Sequence, residues 1–301
     1  MKICFIGGNG FLANSFAEKY NYAQLDVYGR YKPKYFFTSF EELDILRDRI
    51  DFSKFMKYDE IFYFSALGVQ SSISYSFHDL LKVNFTFPVE LISFLSENSF
   101  KGKFLSFGSY FEVGIYNEKK SLTENNIIYS EYKTVNYYSL TKRLLTRFLD
   151  SSILNLKYNH FIIPTVYGKG ENKNRLIPYV INSIRSGKEI NLSDGYQIRH
   201  YLHINELVKS IHLASSNNLE SGIYNIGGGE ILSVREIVNL ITQNFDKKSL
   251  IINYGKQSKV DTQMPFLALN SNKIDSKIPI GKILSLKDNI KEYLELENER
   301  I

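Results

Sequence analysis

Tyr138 and Lys142 stand four residues apart in Tyr138-Ser139-Leu140-Thr141-Lys142, so a helix there presents a phenol and an ammonium on one face. A positive neighbour lowers a phenol's pKa and prepares it for proton transfer near neutral pH. In a chain with 22 Tyr, a chance surface pair is the competing reading. The preceding strand favours chemistry: Phe104-Leu105-Ser106-Phe107 runs into Gly108-Ser109, putting a hydroxyl at a carboxyl edge, where open α/β sheets bind ligands.

A second constellation opens the chain, where an apolar run enters Gly7-Gly8-Asn9-Gly10-Phe11-Leu12-Ala13. The order is strand, glycine turn and helix start. Glycines let a backbone approach a pyrophosphate, and the free N–H groups and dipole of a helix start favour its charge. The G-x-x-G-x-x-A spacing is one glycine short of the usual dinucleotide fingerprint, and a plain tight turn is the alternative. At the end of the following strand an acid would bind a ribose 2′-hydroxyl, whereas a cation accommodates a 2′-phosphate. Here Leu25-Asp26-Val27-Tyr28 ends in Gly29-Arg30, followed by Lys32 and Lys34. Asp26 is expected to point away, so Arg30 favours NADP(H), with NAD(H) the alternative cofactor and a solvated basic loop the competing reading.

The elements that must position these groups alternate. Strands are expected at Lys2 to Ile6, Gln24 to Tyr28, Glu60 to Ser65, Gly102 to Phe107 and Tyr158 to Ile163, and helices at Phe11 to Tyr20, Phe77 to Glu97 and Asn136 to Asp150. That alternation predicts an α/β protein with a doubly wound parallel sheet. Beyond Pro164 turn clusters separate shorter elements, with helices expected near Arg175 to Ser186, Asn205 to Ser215 and Val234 to Asn244. The division expected is residues 1–164 as the cofactor domain, rejoined by 199–227, with 165–198 and 228–301 forming a smaller, discontinuous substrate domain.

Composition excludes other classes. The chain has 301 residues, 44% hydrophobic and 23% charged, with a net charge of +5 that is spread along it. It is long enough for a full core, and neither disorder nor a dedicated nucleic-acid surface is expected. No apolar run approaches a membrane span, and the start is too short in apolar residues for a signal peptide. The single Cys4 forms no bridge within the chain, which fits a cytoplasmic protein. His78, His160 and His212 lack metal-ligand spacing with Cys, Asp or Glu, so no metal site is expected.

Taken together, these residues resemble the extended short-chain dehydrogenase/reductase family, the NAD(P)-dependent epimerase/dehydratase group with a Rossmann sheet. The resemblance runs along essentially the whole chain. Its features occur in order: the glycine turn, Asp44-Ile45 where adenine is usually contacted, Ser65-Ala66-Leu67, Asn84, and the Ser109, Tyr138, Lys142 set. It implies that Tyr138 exchanges the proton of the sugar oxygen, Lys142 holds the cofactor ribose and tunes the phenol, and Ser109 hydrogen-bonds the reacting oxygen. It further implies cofactor contacts from Gly7, Gly10, Phe11, Leu12, Ala66, Leu67 and Pro164, and from Tyr138 beside Lys142. Thr165, Asn174, Arg175 and Leu176 would face a nucleotide-diphosphate sugar, and Arg199 would pair with its diphosphate. His200 stands where the family usually has an acid. The helical stretches Phe85 to Leu95 and Leu144 to Leu149 read as core; in the family they often form a four-helix dimer bundle, so a homodimer is expected.

Within that family, 4,6-dehydration needs an acid-base pair directly after the catalytic hydroxyl, yet Ser109 is followed by Tyr110-Phe111 unless Glu112 serves. Epimerisation at C3 and C5 needs a Cys that Cys4 is not placed to supply. Two reactions remain: NADPH-dependent reduction of a nucleotide-activated 4-keto-deoxy sugar at C4, in surface-polysaccharide sugar biosynthesis, and 4-epimerisation with tightly held NAD. The segments Gly170 to Ile181 and Gln197 to Arg199 are similar to CDP-abequose and CDP-paratose synthase-type ketoreductases and favour the first. A catalytically idle NADP-binding sensor is the reading from another class.

Overall fold

The computed structural model describes residues 1–20, 22–68, 74–245, 250–256, 263–278, 285–290 and 294; parts of the expected 228–301 segment thus lie outside them. In chain order the first half comprises β1 (Lys2–Ile6), α1 (Phe11–Lys19), β2 (Gln24–Gly29), β3 (Ser39–Glu42), β4 (Glu60–Tyr63), α2 (Phe77–Leu81), α3 (Phe87–Glu97), β5 (Lys103–Ser109), α4 (Glu124–Ile128) and α5 (Tyr137–Ser151). The second half comprises β6 (Lys157–Ile163), β7 (Thr165–Tyr167), α6 (Leu176–Arg185), β8 (Ile190–Asn191), β9 (Ile198–His203) and α7 (Ile204–Ser216), then β10 (Gly222–Asn225), β11 (Glu230–Ser233), α8 (Val234–Thr242), β12 (Ile252–Asn253), β13 (Phe266–Leu267) and α9 (Asn272–Asp275).

Seven parallel strands form the main sheet in the order β10-β6-β5-β4-β1-β2-β3. The expected doubly wound sheet is therefore present. Its strand order reverses between β1 and β4, and this switch point opens a crevice at their carboxyl ends. Continuous burial along β5 reflects helices on both faces. On one face Leu91, Ile92, Leu145 and Leu149 pack with Ile61 and Phe104; on the other Ala13, Phe16, Leu207 and Ile211 pack with Phe5 and Phe161.

A smaller sheet is centred on β9, which pairs in parallel with β7 and β13 and antiparallel with β11. Helices α6 and α8 cover it through Ile177, Val180, Ile237 and Val238. Within 199–227, α7 and β10 belong to the main sheet's layers, whereas β9 belongs to the small sheet. Ile274 and Ile278 pack in the core shared by β1, α1 and α7.

Two local features differ from the sequence expectation. The single helix expected over Phe77 to Glu97 contains one π turn, Lys82–Thr86, between α2 and α3. Pro88 has no N–H to give the carbonyl of Asn84, so the ladder slips there and Phe87 N–H bonds Lys82 O instead. Strand β5 also runs on to Ser109, which brings that hydroxyl into the sheet itself.

Candidate active site

The turn after β1 is shaped by close approach. Gly7 has φ +89°, and a Cβ added there would lie 2.4 Å from Ser65 Oγ and 2.6 Å from Ser65 N, so a side chain at Gly7 would collide with the chain leaving β4. At Gly10, by contrast, an added Cβ meets only Gly7 O at 3.6 Å. Open space therefore lies over the N-cap of α1, whose first turn carries no acidic residue. Phe11 and Leu12 form that first turn. A cleft runs from here along the switch point, lined by Gly7, Gly10, Arg30, Asp44, Ile45, Ala66 and Leu67 among others. A glycine cradle, an uncapped helix start and a cleft at the switch point together fit a dinucleotide.

The end of β2 carries no acid into this cleft. Asp26 is buried on the other side, accepting from Tyr58 Oη at 2.8 Å with Lys57 Nζ at 3.8 Å. Arg30 is exposed at the cleft wall, its guanidinium 5.9 Å from the Tyr31 ring centroid, and Lys32 turns away over Phe37. Asp44 is held within its own loop, its carboxylate accepting from Leu46 N at 3.1 Å and lying 3.6 Å from Arg47.

Beyond Leu67 the cleft floor meets the helix of the Tyr and Lys. A Cβ on Gly68 would lie 3.2 Å from Tyr138 Cβ. Asn84 ties this corner together, accepting from Leu67 N at 2.9 Å and donating to Leu67 O and to Thr141 Oγ1, each at 3.0 Å. Asn136 caps α5 by accepting from Ser139 N at 2.8 Å, and this starts the helix so that Tyr138 sits in its first turn.

The Ser109 hydroxyl lies near enough to the Tyr138 phenol to pull its pKa down. Lys142 is buried one turn on, with Nζ donating to Phe107 O at 2.8 Å. The expectation that Lys142 lowers the phenol's pKa is corrected here. Burial raises the Tyr138 pKa above its ordinary value and the Glu112 charge adds to this, while the Ser109 hydroxyl and the Arg175 charge pull it down. Lys142 is itself pushed down to about 8 by burial, partly offset by Glu112. Its ammonium serves the β5 backbone.

From the smaller sheet, Thr165 Oγ1 lies 2.5 Å from Tyr110 Oη, just after buried Pro164. Arg175 stands at the N-cap position of α6, and its side chain reaches Glu171 at 3.2 Å. Its charge is felt at Tyr138, so the start of α6 faces the site. Leu176 follows it on α6 and packs against the small core, and Asn174 is exposed, with its N–H on Asn172 Oδ1 at 2.9 Å.

Arg199 is placed differently from a free diphosphate clamp. It is buried, and Nη1 donates to Ile198 O at 2.7 Å and Met264 O at 2.8 Å. His200 explains its own substitution for an acid: Nε2 bonds Gly228 O while Nδ1 accepts from Leu269 N at 3.2 Å. A carboxylate would face the Gly228 carbonyl with like charge, whereas a neutral imidazole donates to it.

Glu112 was read from the sequence only as a displaced dehydration acid. It is fully buried, and both its oxygens are occupied, Oε1 by Ser109 N and Oε2 by Thr146 Oγ1, each at 2.6 Å. Thr146 and His160 beside it carried no sequence signal. Among the described residues no group of three or more His, Cys, Asp or Glu could hold a metal, and no helix is long and apolar enough to cross a membrane.

The sequence is 24% identical over 215 residues to a CDP-abequose synthase of Yersinia pseudotuberculosis, covering 70% of this chain and 67% of that protein. It is 26% identical over 125 residues to a dTDP-glucose 4,6-dehydratase of Streptomyces griseus, covering 41% of this chain and 38% of the relative's length. The fold is that of the UDP-glucuronic acid 4-epimerase of Bacillus cereus solved with UDP-glucuronic acid and NAD, at a TM-score of 0.84, 19% identity and full coverage of both chains. The model of the NAD dependent epimerase/dehydratase family matches residues 3–227, and the chain belongs to that family.

Proposed function

We propose that the protein reduces a nucleotide-activated 4-keto-deoxy sugar at C4 with NADPH, for the building of surface-polysaccharide sugars. The observation that carries this reading is the pairing of the Ser109 hydroxyl with the Tyr138 phenol, next to Gly68 beyond the cleft floor, with burial holding the phenol in its protonated form. A ketone reduction needs one positioned proton donor, and a protonated phenol is that donor. The resemblance to CDP-abequose synthase supports the sugar class, and Arg30 at the cleft wall supports NADPH.

In this reading Gly7, Gly10, Phe11, Leu12, Ala66, Leu67 and Pro164 hold the dinucleotide, Asp44 and Ile45 its adenine end, and Lys142 its ribose. When bound, the cofactor supplies the hydride that the ketone carbon takes up. Ser109 donates a hydrogen bond to the ketone oxygen and Tyr138 delivers the proton to it, so the carbonyl becomes an alcohol. Thr165, Asn174, Arg175 and Leu176 line the approach of the nucleotide diphosphate. Arg199 braces that side through β9. A homodimer through α3 and α5 and a cytoplasmic site of action belong to the same proposal.

The test follows NADPH absorbance with CDP- and dTDP-linked 4-keto-6-deoxy and 4-keto-3,6-dideoxy glucose. Consumption of one NADPH per sugar reduced supports the reading. A 4-epimerase uses the same three side chains, so interconversion of sugar epimers with NAD retained and no NADPH consumed would replace it.

A further inference from the structure

Under Ser109 and Tyr138 lies a chain of buried polar groups that the proposed reaction leaves unused. Ser106 Oγ is 2.8 Å from His160 Nδ1, His160 Nε2 is 3.0 Å from Thr146 Oγ1, and Thr146 donates to Glu112 Oε2 at 2.6 Å. Glu112 Oε1 closes the chain by accepting the Ser109 N–H at 2.6 Å. Glu112, Thr146 and His160 have no exposed surface. A Cβ on Gly108 would lie 2.8 Å from Glu112 Oε1 and 2.7 Å from His160 Nε2, so the glycine at the end of β5 is what admits both groups.

Burying a carboxylate costs more than burying a neutral amide of the same shape, so a purely structural bridge has no need of the charge. The bridge also joins two particular elements. One end holds the backbone of Ser109 on β5, and the other holds Thr146, one turn beyond Lys142 on α5. These are the strand and helix whose relative placement sets the Ser109 hydroxyl against the Tyr138 phenol.

We propose that Glu112 is a positioning residue for proton delivery: it clamps β5 to α5 through Ser109 N–H and Thr146, and its negative charge keeps the Tyr138 site in the proton-donating form. This rests on the ketoreductase reading. The groups facing Glu112 are Lys142, Arg143 and Tyr138 from α5 and neutral His160 from β6; those facing Tyr138 are Glu112, Ser109 and Arg175. Burial pushes the Glu112 carboxyl up to about 7 against the pull of Thr146, the Ser109 N–H, Lys142 and Arg143, so in the alkaline range the carboxyl is ionised and its negative charge opposes ionisation of the phenol.

The experiment compares Glu112→Gln, Glu112→Asp, Thr146→Val and Tyr138→Phe on the 4-keto sugar of the panel that the parent reduces fastest. In Glu112→Gln the alkaline limb of kcat should move to lower pH by roughly one unit, with KM within about twofold. Glu112→Asp, which keeps the charge, should restore the limb. Thr146→Val removes the clamp alone and should lower kcat several-fold at an unmoved limb. In the cofactor-free protein, the 13C-tyrosine signal missing from Tyr138→Phe should titrate at lower pH in Glu112→Gln. An unmoved limb and titration in Glu112→Gln, with Tyr138→Phe inactive, overturns the role of the charge. Thr146→Val at the parent's rate overturns the clamp, and serves even if Glu112→Gln does not fold. An active Tyr138→Phe overturns the ketoreductase assignment together with this proposal.

Discussion

Ser109, the last residue of β5, and Tyr138, in the first turn of α5, bring a hydroxyl and a phenol together across 29 positions of sequence. The pair stands next to Gly68, beyond Leu67 of the glycine-lined cleft, and burial keeps the phenol protonated.

Replacing Tyr138 by Phe keeps the ring and removes the acid. A loss on the order of 10²–10⁴ in kcat is expected, with NADPH affinity little changed because the ribose contact is assigned to Lys142. Steady-state kinetics beside a cofactor titration measure both. Reduction within a few fold of the parent's rate would leave the triad without support.

Arg30 is the cation at the cleft wall, and a charge-assisted contact to a phosphate contributes about 1.5–3 kcal/mol. Arg30→Ala should therefore narrow the preference for NADPH over NADH by about ten- to a hundredfold. Equal affinity of the parent protein for both cofactors would defeat this assignment.

Arg199→Ala is expected to act twice. Loss of the guanidinium leaves the buried carbonyl of Met264 and the half-buried carbonyl of Ile198 short of a donor, at a cost of about 1–3 kcal/mol in stability. The loosened β9 should also raise KM more than it lowers kcat. Thermal melts separate the two effects. An unchanged melting temperature with raised KM would restore a direct diphosphate contact as Arg199's main role.

Glu171 provides a stability test with a definite sign. Burial pushes its carboxyl up to about 7, against the pull of Arg175 and Gly168 N–H, whereas an unfolded chain titrates near 4.3. Between those values the folded state holds the extra proton, so stability falls as pH rises from about 4.3 to about 7 and is level above. Glu171→Gln should flatten that fall in melting temperature. Parallel curves for parent and variant would show that the carboxyl is not perturbed.

Contiguous stretches carried much of this in readable form. The Gly7 to Ala13 turn, the end of β2 at Arg30, and the i, i+4 spacing of Tyr138 and Lys142 are local patterns, and each implies its element by periodicity and turn chemistry alone. The alternation of apolar runs and amphipathic helices likewise sufficed for the parallel sheet, because each βαβ unit is built from neighbours in sequence.

What only the tertiary structure decided depends on partners far apart along the chain. Lys142 meets the carbonyl of Phe107, Glu112 meets Thr146, Arg199 meets Met264 and His200 meets Leu269, at separations of 35, 34, 65 and 69 residues. A side chain's type shows that it can donate, accept or carry charge. Which of those capacities it uses depends on the groups that folding brings within hydrogen-bond distance and on the water that folding removes. For that reason the spacing of Tyr138 and Lys142 shows a phenol and an ammonium on one helix face but not the bond from Lys142 to the β5 backbone, and the residue type of Glu112 does not show that it is buried between the strand and the helix of the site.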